Sequence, residues 1–331
     1  MKEDDALERA AGVLAEADEV DLVCHVNPDA DAVGSMLALA VHLAGMGKRV
    51  RATVPNGLDD LPRWVGVLPG TEHLVPPRDL PKVPSVMVTL DAADLGRLDG
   101  LASRAERAQT VIVIDHHRTN PGFGTINLVD PDASATAEVV YRLLGRLGGD
   151  LRPESAACLY AGLVTDTGRF QYQATSPEVL RIAARLREEP FDHVKLSQAL
   201  FDDNSLPYLR LLGKVLDRAA HVPQADLVWT YLTRSDLEEA GVGVEETEDL
   251  IGVLRTARES DVAAVLKEQF EDGFKVSMRS RGKTDVAAIA GSFGGGGHRL
   301  AAGYTAKASL EEAANALIEA LRKARAGRSG A

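Results

Sequence analysis

Two cysteines in 331 residues, Cys24 and Cys158, are too few for a disulfide framework, and they form no CxxC pair. Both sit among apolar neighbours, which suits a reduced, cytoplasmic setting. Positive charge is also scarce. Lys and Arg number 37 against 49 Asp and Glu, a formal net charge of -12, which excludes a protein that coats long nucleic acids with a basic surface. A small anionic substrate or a short nucleic acid, held at a locally positive site, stays open. No run of about 18 apolar residues occurs, so a membrane span is not expected. The acidic start Met1-Lys2-Glu3-Asp4-Asp5 lacks the basic opening and apolar core of a secretion signal. Solenoid repeats, GxSxG and HExxH are missing too. Gly282-Lys283-Thr284 is similar to the end of a P-loop, but Ser277 stands where that motif needs glycine. Gly241-Val242-Gly243 has Glu246 in place of the third glycine of a dinucleotide fingerprint. What is present is an ordinary soluble composition, 45% hydrophobic and 26% charged, long enough for two cores.

The hydrophobic pattern predicts an amphipathic helix over 6–17 and buried strands at Val20–Val23, Arg49–Val54, Ser85–Leu90 and Thr110–Ile114. A helix is expected from Gly34-Ser35 onward, and Pro55–Pro84 reads as turns. Strands alternating with helical stretches imply an α/β fold with a mostly parallel, helix-flanked sheet. Asn127–Asp132 reads as a loop, Ser134–Leu147 as a helix, and Pro153 as the first turn of a helix that meets Asp166-Thr167-Gly168. The pattern from Glu178 to Leu216 is helical, interrupted near Pro190 and Pro207. Beyond it come a strand at Leu227–Leu232 and a solvated charged run at Glu238–Asp249. A hairpin of Val262–Phe270 and Phe274–Ser280 turns at Glu271-Asp272-Gly273. Helices are expected near Asp285–Ser292 and over Leu310–Lys323. The division this implies is a first domain at 1–185, a helical connection at 186–215, a smaller α/β domain at 216–325 and a flexible tail at 326–331.

Three strands end in acid or histidine. His25, Asp29 and Asp31 follow the first, Asp91 the third, and Asp115-His116-His117 the fourth. Asp166 stands at a helix carboxyl end, where the dipole opposes a negative charge. Singly, each has a plain explanation: a core histidine, a helix cap, a polar turn. Together His25, Asp29, Asp31, Asp91, His116 and Asp166 are candidate metal ligands, since bare carboxylates that converge repel one another. Six donors are many for one ion and reasonable for two with a bridging carboxylate. The four aspartates carry a charge that two dications neutralise. Carboxylate plus imidazole suits manganese, with magnesium and zinc open. Two ions about 3.5–4 Å apart can share a hydroxide nucleophile and hold phosphoryl oxygens during in-line displacement. Further along, Lys275, Ser277, Arg279 and Arg281 alternate with Val276 and Met278 and so share one strand face. Two guanidiniums side by side grip phosphate or carboxylate, and the run Gly294–Gly297 lets backbone N–H groups approach an anion.

His25-x-x-x-Asp29-x-Asp31, Asp91-x-x-Asp94-x-x-Arg97, Asp115-His116-His117-x-x-Asn120 and Asp166-Thr167-Gly168 resemble, in order and spacing, the four motifs of the DHH phosphoesterase superfamily. The likeness covers nearly the whole chain. It is to the nanoRNase type, which includes bifunctional oligoribonucleases and phosphoadenosine-phosphate phosphatases, and phosphodiesterases of cyclic di-AMP and its linear product. The resemblance implies one manganese on His25, Asp29 and Asp91 and another on Asp31, Asp91, His116 and Asp166, with Asp91 bridging. It makes Asp91 and His117 the catalytic pair, His117 contacting the scissile phosphate or leaving group, with Asp115, Asp94 and Asn120 in support behind the ligands. Gly294–His298 with Ala301-Ala302-Gly303 is similar to the substrate-binding motif of the DHH-associated carboxyl-terminal domain. Ser277, Arg279, Arg281, Gly295, Gly296, Gly297 and His298 are then substrate-binding residues, with Arg279 and His298 on a terminal phosphate. The implied activity is a two-metal phosphodiesterase that trims very short oligonucleotides or linear dinucleotides to mononucleotides, with cyclic di-AMP and 3′-phosphoadenosine 5′-phosphate as related substrates. The likeness also implies a homodimer. An inorganic pyrophosphatase shares the metal motifs but not the glycine–His298 region. A nucleotide sensor without turnover would not need the full ligand set.

Overall fold

A computed structural model of the chain describes residues 3–59, 61–247, 249–269 and 273–329. The fold divides into two compact units, Met1–Asp203 and Asn204–Ala331. The boundary falls inside the segment expected to connect two domains.

In the first unit, α1 (Glu3–Glu16) precedes β1 (Glu19–Cys24), α2 (Ala30–Gly45) and β2 (Arg49–Thr53). The proline-rich stretch that follows holds only short 3₁₀ turns at Arg63–Val67, Thr71–His73 and Pro77–Asp79. Next come β3 (Val86–Leu90), a 3₁₀ segment at Leu95–Leu101, α3 (Ala102–Ala105), β4 (Thr110–Asp115) and β5 (Ile126–Val129). Four helices close the unit: α4 (Thr136–Leu147), α5 (Pro153–Asp166), α6 (Pro177–Leu186) and α7 (His193–Phe201). The five strands lie in the order β2-β1-β3-β4-β5, every pair parallel. Their apolar runs are buried without alternation, because helices cover both faces of a parallel sheet. The order reverses between β1 and β3, and an open α/β sheet binds its ligands at the carboxyl ends of the strands beside such a switch.

The helix expected from Gly34 begins at Ala30, because Asp29 caps it: Asp29 Oδ1 accepts from the backbone N–H of Asp31 (3.1 Å) and Ala32 (3.0 Å). Asp31 therefore lies in the first helical turn and not on the loop. The segment Asn127–Asp132, read as a loop, contributes most of β5, which pairs with β4 from Ile112↔Ile126 to Asp115↔Val129. Ile126 and Leu128 are buried while Asn127 and Val129 are half-exposed, but two apolar residues are too short a run to signal a strand.

In the second unit the elements are α8 (Leu206–Asp217), β6 (Ala220–Val222), β7 (Leu227–Leu232), α9 (Arg234–Ala240), α10 (Leu250–Leu254), β8 (Val262–Glu268) and β9 (Phe274–Ser280). They are followed by α11 (Val286–Gly291), β10 (Gly296–His298), β11 (Ala301–Ala306) and α12 (Leu310–Ser329). The sheet order is β10-β11-β9-β8-β7-β6, with β7–β8 parallel and the other pairs antiparallel. β8 and β9 form the expected hairpin pairing, while Glu271 and Asp272 of its tip lie outside the described residues. The charged run Glu238–Asp249 ends α9 and then forms a 3₁₀ turn at Val244–Thr247. The tail expected at 326–331 is helical through Ser329, where Ala324 and Ala326 favour helix; Gly330 and Ala331 lie outside the described residues. One sheet face packs Leu266, Val276 and Met278 against Val286, Leu317 and Leu321. On the other, Val228, Ala263 and Val265 pack against Tyr208, Leu211 and Leu254. Among the described residues no helix is long and apolar enough to cross a membrane.

Candidate metal centre

The carboxyl ends of β1, β3 and β4 deliver His25, Asp91 and His116, Asp29 caps α2 and Asp31 lies in its first turn, and Asp166 is the last residue of α5. Asp91 has φ +58°, a left-handed conformation that aspartate tolerates better than most residues. Its N–H donates to the Ile114 carbonyl at 2.9 Å, fixing the turn off β3. The side chain is buried, and its two oxygens face different neighbours. Oδ2 lies 3.4 Å from His25 Nε2; Oδ1 lies 3.6 Å from His116 Nε2 and 3.6 Å from His117 Nδ1. Two donor groups hold the expected ligands, His25–Asp29–Asp91 and Asp31–Asp91–His116, and a third, Asp91–Asp115–His117, also includes Asp91, each with ligand atoms within 4.8 Å of one another. Asp166 joins the second, its Oδ2 3.2 Å from His116 Nε2. All six expected ligands thus gather in two overlapping groups that share Asp91.

Behind them, Asp115 is fully buried and orients both histidines. Its Oδ1 accepts from the N–H of His116 (2.8 Å) and His117 (3.2 Å) and from His117 Nδ1 (2.7 Å), and Oδ2 accepts from Asn120 Nδ2 (2.6 Å). Asn120 also donates to the Ala92 carbonyl at 3.0 Å, tying the β4–β5 loop to the turn after β3. Asp94 is exposed and stands apart from the donor groups. It caps the 3₁₀ segment by accepting from Arg97 N–H at 3.2 Å, and Arg97 Nη2 in turn lies 2.9 Å from His25 Nδ1. His25 Nδ1 is also 2.8 Å from the Val26 carbonyl, while Nε2 faces Asp91.

Two residues of the centre escaped the sequence reading. Thr136 donates its backbone N–H to Asp31 Oδ2 (2.6 Å) and its hydroxyl to Asp91 Oδ1 (2.8 Å). Gly162 lets α5 pass against Asp31: a Cβ there would lie 2.6 Å from Asp31 Oδ1. A signal for Thr136 existed. Ser134 and Glu138 bracket it just before an apolar-periodic run, Ser134 donating its N–H and hydroxyl to Glu138 Oε2 at 2.9 and 3.0 Å. That marks a helix start, and helix starts bind carboxylates.

Carboxylates crowd one another in the centre. Burial and the neighbouring Asp91 push the Asp31 carboxyl up to about 7, against the pull of His116. Burial and Asp31 raise Asp166 well above the usual carboxylate range. Burial works against Asp91 too, but the His25 hydrogen bond and the charges of His116 and His117 hold it well below that range. For His116, burial is outweighed by Asp166, Asp91 and Asp31, which raise it to about 9. Burial likewise opposes charge on His117, yet Asp115 and Asp91 raise it. Carboxylate oxygens and imidazole nitrogens converging under net negative charge are a donor set that fits divalent cations.

In the second unit, Ser277 and Arg279 are half-exposed and Lys275 exposed on one face of β9, as the alternation predicts. Arg279 pairs with Ala301, which pairs with His298; Ser277 pairs with Gly303, which pairs with Gly296. Arg279 and His298 therefore share a row, two strand spacings or about 10 Å apart, over a floor of small residues. Arg281 lies past the end of β9, and its guanidinium donates to the Ala257 carbonyl at 3.0 Å, so it is tied to the loop after α10 instead of standing on the strand face. The glycine run is not an open loop. Gly296–His298 form β10, and Cβ atoms at Gly295 and Gly297 would lie 2.2 Å from the Gly303 and 2.6 Å from the Ala301 carbonyl oxygen, so both glycines are needed for β10 to reach β11.

The fold and the donor set define the class, an α/β protein with a carboxylate–imidazole cluster able to hold divalent metal at its sheet switch point. Residues 19–163 match the DHH family, N-terminal domain, and residues 229–325 match the DHHA1 domain. Over 304 residues the chain is 38% identical to the bifunctional oligoribonuclease and PAP phosphatase NrnA of Thermus thermophilus, covering 91% of this chain and 89% of that protein. It is 28% identical over 223 residues to NrnA of Bacillus subtilis, covering 66% and 69%. The crystal structure of an exopolyphosphatase-related protein from Bacteroides fragilis matches with a TM-score of 0.88 at 28% identity, over 97% of this chain and 96% of that one. The chain belongs to the DHH family of phosphoesterases.

Proposed function

We propose that this phosphoesterase hydrolyses very short oligonucleotides and linear dinucleotides to mononucleotides at a two-metal centre, and that 3′-phosphoadenosine 5′-phosphate is a second substrate. The observation that carries the reading is Asp91, which places one oxygen toward each of two donor groups. The substrate class follows the bifunctional relatives. In this reading His25, Asp29 and Asp91 hold one ion and Asp31, Asp91, His116 and Asp166 the other, with manganese the best match to mixed carboxylate and imidazole donors. When bound, the ions supply positive charge to phosphoryl oxygens and lower the pKa of a water toward neutrality.

The chain's own side chains do the rest. Asp91 fixes the spacing of the two groups. Asp115 orients His117 through Nδ1 and, with Asp91, raises its affinity for a proton, which suits His117 to contact the scissile phosphate or leaving group. Arg279, Ser277, the glycines of β10 and His298 recognise the terminal phosphate, with Arg281 at the margin. Residues 1–185 form the catalytic domain and 216–325 the recognition domain, joined by 186–215. Two buried free cysteines support a reduced cytoplasmic setting, and family likeness supports a homodimer, which light scattering checks.

The deciding experiment compares turnover of linear di-adenylate, cyclic di-AMP, 3′-phosphoadenosine 5′-phosphate, pyrophosphate and longer RNA with and without manganese. The expected result is manganese-dependent release of adenylate from the linear dinucleotide, well ahead of phosphate release from pyrophosphate. Faster pyrophosphate hydrolysis would transfer the assignment to a pyrophosphatase, and dinucleotide binding without product would reduce it to a sensor.

A further inference from the structure

Three elements meet at the centre with no covalent reason to keep their spacing: α2 carries Asp31, the turn after β3 carries Asp91, and α4 carries neither. We infer that Thr136, at the start of α4, is a positioning residue that clamps Asp31 and Asp91 together and so sets the affinity of the centre for its cations; the inference rests on the metal reading above.

The geometry is specific. The residue before α4, Ala135, has no side chain able to cap the helix, and no side-chain cap is made there. Asp31 from α2 takes that place, accepting from Thr136 N–H through Oδ2 and from Ala137 N–H (2.9 Å) through Oδ1. A carboxylate at a helix start gains two charge-assisted hydrogen bonds and a favourable dipole. Ser35 adds a weaker hydroxyl bond to Oδ1 at 3.3 Å. From the same residue the Thr136 hydroxyl donates to Asp91 Oδ1, the oxygen on the side of His116. A carboxylate oxygen has two lone-pair directions. With Thr136 on one, the other stays available to a cation, and Oδ2 is turned toward His25. Thr136 is fully buried, and its β-branch restricts χ1, which keeps the hydroxyl aimed. Outer partners of ligating carboxylates typically contribute 10–100-fold to metal affinity or activity.

The test uses Thr136→Val, which keeps shape and backbone N–H but removes the hydroxyl, and Thr136→Ser, which keeps the hydroxyl. Manganese binding is measured by calorimetry on the full chain without nucleotide, so the result stands apart from whether dinucleotides are cleaved. Circular dichroism checks the fold, and KM and kcat for linear di-adenylate are measured in parallel. Thr136→Val is expected to weaken manganese binding roughly 10–100-fold, to lower kcat at limiting manganese with recovery in excess, and to leave KM within about twofold. Thr136→Ser is expected to stay within about threefold of wild type. Wild-type manganese affinity in Thr136→Val would overturn the proposal. So would a Thr136→Ser variant as weak as the valine one. If Thr136→Val loses its native spectrum, Thr136→Ala carries the same expectation and the same refutation.

Discussion

Buried carboxylates occur in both units, and those of the first unit's cluster are treated differently from two in the second. In the second unit Asp236 is buried at the start of α9, where Arg218 donates to both its oxygens (2.6 and 2.8 Å), Lys214 lies 2.8 Å away, and Thr233 adds its N–H and hydroxyl. Burial opposes its charge, but Arg218, Lys214 and Thr233 hold it well below the usual range. Asp261 is similar: burial is overcome by bonds from Thr284, Lys283 and Ser280, and its pKa falls. In the first unit Asp31, Asp91 and Asp166 meet imidazoles, hydroxyls and backbone N–H groups, and two of the three are pushed up. An acid buried for structure comes with its compensation built in. The cluster of the first unit compensates Asp91 with imidazoles but leaves Asp31 and Asp166 raised.

Five measurements bear on that contrast, the largest effect first. Asp91→Ala removes the residue common to both donor groups and is expected to lower turnover roughly a thousandfold or more while the circular dichroism spectrum persists; activity within tenfold of wild type would contradict the shared carboxylate. Gly162→Ala puts a methyl against Asp31 and is expected to lower manganese affinity and kcat by roughly 10–100-fold, which calorimetry and turnover would show together. Arg279→Ala is expected to raise KM for the dinucleotide about tenfold, the loss of one charge-assisted contact, at unchanged manganese affinity. Asp236→Ala should cost about 3 kcal/mol of stability in urea titration and leave kcat unchanged, since its cations serve only the fold.

The fifth is the pH dependence of the metal-free protein. Asp31 takes up its proton more readily folded than unfolded, so its contribution to stability falls as pH rises from about 4 toward about 7. His116 is raised, so its contribution is full below about 6.5 and is lost as pH climbs through about 9. Both signs agree: the melting temperature in chelator should decline between pH 5 and 9, and manganese should flatten the decline. Asp236 runs the other way, its contribution present above about 4 and lost as pH falls through its depressed value. A chelated protein whose melting temperature rises from pH 5 to 9 would break the comparison.

Much of this was readable in the chain because the information was local. β1, β3, β4 and β7 announce themselves as apolar runs, and the acids and histidines that follow three of them sit at the sheet edge by topology alone. β5 was not readable, since a ten-residue loop without a helix joins it to its parallel neighbour and such crossovers usually carry one. The start of α2 was missed because Asp29 was read only as a ligand, although an aspartate before a helical run is also a cap. Thr136 and Gly162 lie 105 and 131 residues from Asp31, and only the packed fold shows what they touch. The glycine run reads as a close approach of backbone N–H groups to an anion, while the structure uses the lack of a side chain at Gly295 and Gly297 to let the chain reach β11.

The left-handed backbone at Asp91 has one more consequence. Position 91 is screened twice, once by the chemistry of its tip and once by the handedness of its main chain. Asparagine passes the second screen and fails the first; glutamate carries the right charge but fits the reversed twist poorly and is a methylene too long. Aspartate alone satisfies both, so the residue shared by the two donor groups is also one that few replacements can mimic.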